Sequence, residues 1–388
     1  MKNLLTSLSL LKIQHILNLS YWEQKSWFSD VDFCIVGSGI VGLSCALQLK
    51  KNHPTAKILV LEKGILPQGA STKNAGFACF GSVSELLSDL KNHTEEEVVD
   101  IVKQRVAGLE LLKATLGKKP IDYQHHGGYE VFLKKDEALF ENCTQQIPYL
   151  NELLQPVFNE KVFQLKSDSF AFSNTFSKQI FNAFEGQIDT GKMMQALLQK
   201  VQRQGILVLN SIAVKSFSTE AEAVHIQLND FSFKAKHLCI ATNAFAAELL
   251  KVKVTPARNQ VLITQPIPNL AIKGTFHLDE GFYYFRNMHN RILLGGGRNL
   301  DETGETTSKM GTTKKIQTAL EDLLKNVILP TREVEIDQRW SGILGVGKQK
   351  KPIVKPIENR VFFAVRLGGM GVAIGSQVGK YLADLMEE

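Results

Sequence analysis

The sequence lacks the signatures of several protein classes. Its five cysteines are an odd number, without a C-x-x-C pair or a Cys/His cluster at metal-ligand spacing. No metal site is predicted, and a reducing, cytoplasmic location is expected. Glycine (29) and proline (11) are near average in 388 residues, which argues against collagen-like and largely disordered chains. No apolar run approaches the roughly 18 uninterrupted residues that a transmembrane segment needs.

An excess of one charge is also missing, since 45 Lys+Arg against 39 Asp+Glu leaves a net charge of +6. The densest basic run, residues 348–351, is interpreted as a solvated loop, so no nucleic-acid partner is predicted. Residues 1–20 are rich in leucine, but Lys12 and His15 interrupt them and no small-residue cleavage site follows. We interpret residues 1–29 as an N-terminal leader. The length exceeds the roughly 250–300 residues at which chains usually divide, which predicts two domains.

One segment near the N-terminus has the pattern of a nucleotide-binding unit. The apolar run 31–36 is followed by Gly-Ser-Gly-Ile-Val-Gly at 37–42, which predicts a strand, a glycine turn and a helix. Such glycines allow a tight bend, close approach of a pyrophosphate, and close packing of helix on strand. A second strand, 58–61, ends at Glu62, 20 residues beyond Gly42, where a carboxylate accepts hydrogen bonds from an adenosine ribose. A glutamate at this position disfavours NADP.

Two further segments favour FAD over NAD, which the first motif does not separate. Residues 69–77 form a small-residue loop, Gly-Ala-Ser-Thr-Lys-Asn-Ala-Gly-Phe, soon after the second strand. Near the end of the chain, the apolar run 361–365 is followed by a glycine turn at 368–375 and a helical stretch. The N-terminus of this helix can present backbone N–H groups to another part of a long cofactor. An NAD dehydrogenase has no evident use for this second turn.

These segments, in this order, resemble the D-amino acid oxidase superfamily of FAD-dependent oxidoreductases, in the branch of glycine oxidase, monomeric sarcosine oxidase and γ-glutamylputrescine oxidase. The resemblance covers residues 20 to 388 and also involves Ser20-Tyr21-Trp22, 186–189, 240–245 and 256–262. It implies an α/β fold with a discontinuous, Rossmann-like FAD-binding domain and a mixed-sheet substrate domain. The implied boundaries are 30–88, 186–250 and 340–388 for the FAD-binding domain, and 89–185 and 251–339 for the substrate domain.

The resemblance also implies FAD that is bound without a covalent link. Covalent members of the family use a cysteine late in the chain or a histidine near the first flavin loop, and this sequence has neither. In the family, a valine placed like Val214 contacts adenine. The residues expected to bind FAD are Gly37, Gly39, Ile40, Val41, Gly42, Glu62, Lys63, Ala70, Ser71, Thr72, Asn74, Ala75, Gly76, Val214, Gly368, Gly369, Met370, Gly371 and Val372.

The substrate side is expected around residues 281–286. Alternation along a strand places Tyr284 and Arg286 on one face, where a phenol and a guanidinium can bind an amine and a carboxylate. In sarcosine oxidase the tyrosine that matches Tyr284 lines the substrate pocket. The candidate catalytic residues are Tyr284, Arg286, Tyr283 and Arg339. An alternative interpretation makes the tyrosines domain-interface aromatics and Arg286 a surface charge.

Two positions depart from the family's pattern. Amino-acid oxidases of the superfamily carry an arginine that binds the substrate carboxylate where this chain has Leu344. Either Arg286, Arg339 or Arg366 then supplies the anchor, or the substrate is not a simple α-amino acid. Leu293 stands where sarcosine oxidase has the lysine that activates oxygen. This leaves O₂ and a quinone or electron carrier open as the electron acceptor.

The sequence therefore predicts an FAD-dependent amine or amino acid oxidase or dehydrogenase that acts on a small molecule. The enzyme is expected to oxidise a C–N bond to an imine, which water hydrolyses to an aldehyde or keto acid and an amine. The alternatives are an FAD-dependent 2-hydroxy-acid dehydrogenase, a flavin step in RNA modification, and a flavin-binding module without turnover.

Overall fold

The computed structural model describes residues 19–387, so the predicted leader lies mostly outside the described residues. Within this range the strands form two eight-stranded sheets and one two-stranded sheet. The strands are β1 (Val31–Val36), β2 (Ile58–Leu61), β3 (Phe77–Ala78), β4 (Gly128–Glu130), β5 (Phe163–Ser167), β6 (Lys178–Asn182), β7 (Gly186–Gln187), β8 (Leu207–Leu209), β9 (Ser216–Thr219), β10 (Val224–Gln227), β11 (Ser232–Ile240), β12 (Thr255–Thr264), β13 (Thr275–Leu278), β14 (Tyr283–Met288), β15 (Arg291–Gly296), β16 (Ile336–Val346), β17 (Ile353–Glu358) and β18 (Val361–Val365).

The helices lie between these strands and at the end of the chain. They are α1 (Tyr21–Glu23), α2 (Ile40–Asn52), α3 (Val83–Leu90), α4 (Glu95–Leu116), α5 (Glu137–Leu153), α6 (Gln155–Phe158), α7 (Thr190–Arg203), α8 (Glu302–Glu305), α9 (Lys314–Leu323) and α10 (Gly371–Asp384). Capping boxes begin α3, with Ser82 and Glu85, and α4, with Thr94 and Glu97. None of the helices between residues 19 and 387 combines the length and apolar character needed to cross a membrane.

The first large sheet contains the nucleotide-binding unit. Its order is β17-β18-β11-β1-β2-β8, with β10 and β9 added beside β11. β1 is parallel to both of its neighbours, β2 and β11, and is buried on both faces as expected for a central parallel strand. Apolar residues of α2, α7 and α10 cover one face, and residues of β10 and the stretch 244–254 cover the other. Because parallel strands end at the same edge, the segments that follow β1, β2 and β11 meet there.

The second large sheet has the order β16-β12-β15-β14-β13-β4-β6-β5, and all neighbours are antiparallel except β13 and β4. Its two faces pack against different parts of the chain. Leu262 and Phe285 face α9, whereas Val261 and Leu293 face residues 75–77. We call the latter side the loop-facing side of the sheet, because it borders the segment between β2 and β3.

The two-stranded sheet pairs Phe77 of β3 with Gln187 of β7, and Phe77 packs against Tyr284 of the second large sheet. The predicted domain boundary at residue 340 falls inside β16, which pairs with β12 along nearly its whole length. The division into two domains at the predicted boundaries stays a prediction.

Candidate functional site

The turn between β1 and α2 brings the backbone so close to neighbouring atoms that a side chain does not fit at Gly37 or Gly42. Gly37 has a φ of +104°, and a Cβ on it would lie 2.8 Å from the carbonyl oxygen of Ala241. A Cβ on Gly42 would lie only 2.0 Å from the carbonyl oxygen of Gly37. Close packing of α2 on β1 therefore requires glycine at position 42. Ile40, at the N-terminus of α2, lines a cavity, so the N–H groups of the first helical turn lie at the edge of that cavity.

This cavity runs from the carboxyl ends of β1, β2 and β11 to the turn before α10. The predicted FAD-binding residues that line it are Gly37, Gly39, Ile40, Val41, Glu62, Lys63, Ala70, Ser71, Asn74, Val214, Gly368, Gly369, Gly371 and Val372. Those that do not line it are Gly42, Thr72, Ala75, Gly76 and Met370. Lining residues outside the predicted FAD-binding set include Gln68, Lys215, Thr242, Asn243, Phe245, Glu248 and Ile343. Three of these, Thr242, Asn243 and Phe245, fall in the segment 240–245 that contributes to the resemblance, but they were not predicted to bind FAD.

Glu62 is held at the end of β2 with its carboxylate already oriented. The side chain is 6% exposed, and its Oε2 accepts hydrogen bonds from the backbone N–H (3.1 Å) and hydroxyl (2.9 Å) of Ser38. Its Oε1 accepts from the N–H of Gly64 at 3.0 Å. A carboxylate oxygen accepts more than one hydrogen bond, so Glu62 retains capacity for a ribose hydroxyl at the cavity edge.

The loop between β2 and β3 is organised by the side chain of Asn74. Its amide donates to the carbonyls of Ala70 (3.1 Å) and Ser71 (2.9 Å). Its Oδ1 accepts from the N–H of Gly76 (2.8 Å) and the hydroxyl of Thr190 (2.9 Å). The loop in turn reaches the glycine turn, because the Ser71 hydroxyl accepts from the N–H at the start of α2. Asn74 thus holds the shape of the loop at the cavity.

The Asn74→Ala variant is expected to bind FAD about tenfold more weakly. The loss of about one net hydrogen bond destabilises the loop, which makes the binding free energy less favourable by about 1.4 kcal/mol. Titration of the apoprotein with FAD, followed by flavin fluorescence, measures this dissociation constant. Asn92→Ala, at an exposed position, is the matched control. Equal affinity in both variants would show that Asn74 does not shape the site.

The residues of the cavity fit a dinucleotide that carries a second ring system. Helix N-termini lie at two places along it, at α2 and at α10, and both present N–H groups that suit an anion or a polar ring edge. A Cβ on Gly368 or Gly369 would have no atom within 4 Å, so open space lies over this turn. Lys63 pairs with Glu248 at 3.3 Å. A pyrophosphate would therefore be held by backbone N–H groups rather than by that cation.

The loop-facing side of the second sheet carries two of the four candidate catalytic residues, Tyr284 and Arg286. Tyr284 lies between His277 and Gly295 on the neighbouring strands, and its ring covers Gly295, where a Cβ would be 2.7 Å from it. Burial raises the pKa of Tyr284 to about 12, and the opposing effect of the Asn259 side chain, which lowers the pKa, is smaller. The phenol is therefore neutral and able to orient a polar ligand at neutral pH.

Arg286 lies on the same side but is occupied by the protein itself. It is 3% exposed, and its guanidinium donates to the backbone carbonyls of Ala75, Ile188 (2.9 Å) and Asn287 (3.1 Å). Burial lowers the pKa of Arg286 to about 10, which still leaves it charged at neutral pH. Since Ala75 precedes β3 and Ile188 follows β7, Arg286 joins β14 to both strands of the small sheet.

Tyr283 and Arg339 are not brought together with Tyr284. Tyr283 packs in the apolar core around α9, on the opposite face of the sheet. Arg339 donates to the side chain of Gln317 at 2.9 Å and lies 3.0 Å from Glu321, both on or near α9. The reason is the two-residue period of a strand, which turns these side chains away from the loop-facing side.

A buried cluster of ionisable groups lies beside Tyr284, and sequence reasoning missed it. His277 Nε2 is 2.9 Å from Glu185, and its Nδ1 is 3.8 Å from Glu85. Burial opposes the imidazolium, but these carboxylates together outweigh it and raise the pKa of His277 to about 9. Burial raises the pKa of Glu130 to about 7, although the hydroxyl of Ser84 donates to it. The cluster joins separate parts of the chain, so no local pattern marks it.

Glu130 is expected to make the wild-type protein less stable as the pH rises. Its folded pKa of about 7 lies above the ordinary value of 4.5, because the folded protein favours the protonated carboxyl. The contribution of this protonated carboxyl to the free energy of unfolding is fully present below pH 4.5 and is lost as the pH rises through 7. A pKa shift of this size corresponds to a loss of about 3 kcal/mol in the free energy of unfolding. Glu130→Gln stays neutral, so its free energy of unfolding should gain about 2–3 kcal/mol relative to wild type between pH 5 and 8. Denaturant titrations at both pH values test this, and a difference that does not change with pH would contradict it.

Comparison with known proteins gives a consistent result. The family described as DAO, FAD dependent oxidoreductase, matches residues 32–385. The probable oxidoreductase OrdL of Haemophilus influenzae is 20% identical over 405 residues, covering 95% of this chain and 90% of that protein. Glycine oxidase from Geobacillus kaustophilus has a TM-score of 0.74 at 18% identity, covering 92% of this chain and 94% of that one. L-proline dehydrogenase from P. horikoshii has a TM-score of 0.72 at 19% identity, covering 92% and 93%. The structural matches confirm the predicted α/β fold.

Proposed function

The chain belongs to the DAO family of FAD dependent oxidoreductases, and from this premise we propose that it oxidises the C–N bond of a small amine or amino acid. The match confirms the predicted family and the predicted dependence on FAD. FAD, when bound, accepts the two electrons and the hydrogen that leave the carbon beside the nitrogen. The product is an imine, which water hydrolyses to an aldehyde or keto acid and an amine.

The observation that carries this proposal is an apolar cluster on the loop-facing side of the second sheet. Val261, Leu293 and Trp340 form an apolar cluster there with Ala75 of the loop, and Tyr284 packs against it. An amine that enters such surroundings loses solvation as an ammonium ion, which lowers its pKa and favours the neutral, reactive form. A dedicated protein base is then unnecessary.

The roles of individual residues follow from their contacts. We assign Tyr284 to orientation of the substrate, because its phenol is neutral and lies on this surface beside Asn259. Arg286 is assigned to support of the loop, because its donors are already used by backbone carbonyls. Exclusion of water is assigned to the apolar side chains around them, since a dry site strengthens every polar contact inside it.

The names of the structural relatives support the substrate class. One is a glycine oxidase and another is an L-proline dehydrogenase, so the same fold serves oxidation of amino acids in both. Leu293 is buried and contributes no charge on the loop-facing side. We therefore expect slow reaction of the reduced enzyme with O₂ and transfer of electrons to a quinone or an electron carrier.

An anaerobic flavin spectrum tests the proposal. Purified holoenzyme is titrated with pools of secondary amines, polyamine conjugates, D-amino acids and 2-hydroxy acids, and loss of the visible flavin absorbance is followed. Bleaching by an amine or amino acid pool is the expected result. Bleaching by 2-hydroxy acids alone, or by no pool, would contradict the proposal. Admission of air then measures reoxidation, and a fast return of colour would contradict the expected acceptor.

A further inference from the structure

Three arginines of the second sheet, Arg286 on the loop-facing side and Arg258 and Arg339 on the face toward α9, are engaged by other parts of the protein. Arg258 lies 2.8 Å from Glu305, and Arg339 lies 3.0 Å from Glu321. The donors of Arg286 bind backbone carbonyls, as described above. Each of these guanidinium groups is therefore committed, and a ligand anion would have to break existing contacts to use one.

Lys73 borders the loop-facing side of the sheet. Its carbonyl accepts a hydrogen bond from the indole N–H of Trp340 at 3.0 Å. Its Cβ lies 3.2 Å from where a Cβ on Gly342 would be, so the side chain starts directly over that glycine. Leu344, two residues further along the same face of β16, lines the cofactor cavity. The lysine side chain thus begins between the indole and the cavity wall.

The ammonium group of Lys73 has no committed partner. Between residues 19 and 387, no ion pair and no side-chain hydrogen bond includes its Nζ, whereas Lys63 of the same cavity region pairs with Glu248. Lys73 is half-buried rather than fully solvated. A cation in such a place gains from an anion that replaces its lost water, and a charge-assisted hydrogen bond to a carboxylate is the strong form of that contact.

We propose that Lys73 binds the carboxylate of the substrate, which makes the substrate an amine that carries a carboxylate. This inference rests on the proposed C–N oxidation. An ammonium group is a point charge on a flexible stem, whereas a guanidinium imposes a planar, two-point geometry. Lys73 therefore accepts carboxylates at different distances from the reacting nitrogen, so a short homologous series of amino acids is oxidised rather than one member.

The test compares substrates that differ in the carboxylate. Anaerobic flavin reduction is measured with N-methylglycine, 3-(methylamino)propanoate and 4-(methylamino)butanoate, and with N-methylpropylamine, which lacks the carboxylate. In wild type the carboxylate-bearing amines are expected to react faster. In Lys73→Gln the ratio of their rates to that of N-methylpropylamine should fall about tenfold or more. Lys73→Arg should recover part of this ratio, and Lys200→Gln, at an exposed position on α7, should leave it at the wild-type value.

A binding measurement makes the test independent of turnover. Propionate, which has a carboxylate but no C–N bond, is titrated calorimetrically into oxidised holoenzyme, and Lys73→Gln should weaken its binding about tenfold. Equal propionate affinity in both proteins, or an equal loss of rate for all four amines, would overturn the role of Lys73 and leave the proposed function standing. Failure of every amine to reduce the flavin would instead overturn the proposed function.

Discussion

Replacement of Gly42 by alanine is expected to lower the free energy of unfolding by about 3 kcal/mol and to leave little FAD in the purified protein. A Cβ at this position would lie 2.0 Å from the carbonyl oxygen of Gly37 and 3.3 Å from Cγ2 of Ile35. Both obstacles belong to the strand and turn on which α2 packs, so the helix has to move away from β1. That movement carries the helix N-terminus away from the cavity predicted to hold FAD.

Denaturant unfolding and the ratio of flavin to protein absorbance measure the two effects. Gly69→Ala is the matched control for stability alone, because a Cβ there has no atom within 4 Å and the backbone has an ordinary φ of −71°. Flavin content is compared with wild type, since Gly69 lines the predicted FAD cavity. Unfolding of this control is expected within about 0.5 kcal/mol of wild type. A Gly42→Ala protein as stable as this control and as yellow as wild type would show that the helix can shift without consequence.

Replacement of His277 by leucine is expected to destabilise the protein by about 3–5 kcal/mol. The imidazolium is the cation closest to Glu185, which is 1% exposed, and it also lies beside Glu85. Its removal leaves two buried carboxylates without that partner. Glu185 keeps a hydrogen bond from the hydroxyl of Thr275 at 2.9 Å, which does not replace a positive charge.

The double variant His277→Leu with Glu185→Gln separates charge from packing. It removes the carboxylate of Glu185, which has lost its imidazolium partner, so the double variant should regain much of the stability that His277→Leu loses. Thermal or denaturant unfolding of the three proteins at pH 7 measures this, with His126→Leu as an exposed histidine control. If the double variant were as unstable as the single one, the cost would lie in packing of the ring and not in its charge.

The turn and loop contacts of the predicted FAD site could be anticipated from the sequence, because they join residues that are close in sequence or that repeat a local pattern. Gly37 and Gly42 belong to one turn, and the carboxylate of Glu62 reaches Ser38 only 24 residues away. The glycines before α10 repeat the same arrangement of strand, turn and helix. The local steric requirements of the backbone and of helix ends select particular residue types at fixed spacing. Such patterns can be recognised in the sequence before the fold is known.

The substrate half was only partly predictable. Alternation correctly placed Tyr284 and Arg286 on one face, but the carbonyls that occupy Arg286 belong to residues 211 and 98 positions away. His277 and Glu185 are separated by 92 residues, and no spacing rule connects them. Tyr283 and Arg339 were included for their chemistry, although the strand period turns them toward α9.

By itself, then, the sequence determined the family, the fold class and the dependence on FAD. Only the tertiary structure decided which charged groups are already paired and which, like Lys73, have no side-chain partner among residues 19–387. The physical reason is that the direction of a side chain along a strand follows from local geometry, whereas its partner depends on which strands become neighbours and in what register. Strand neighbours and register are set by the packing of the whole chain.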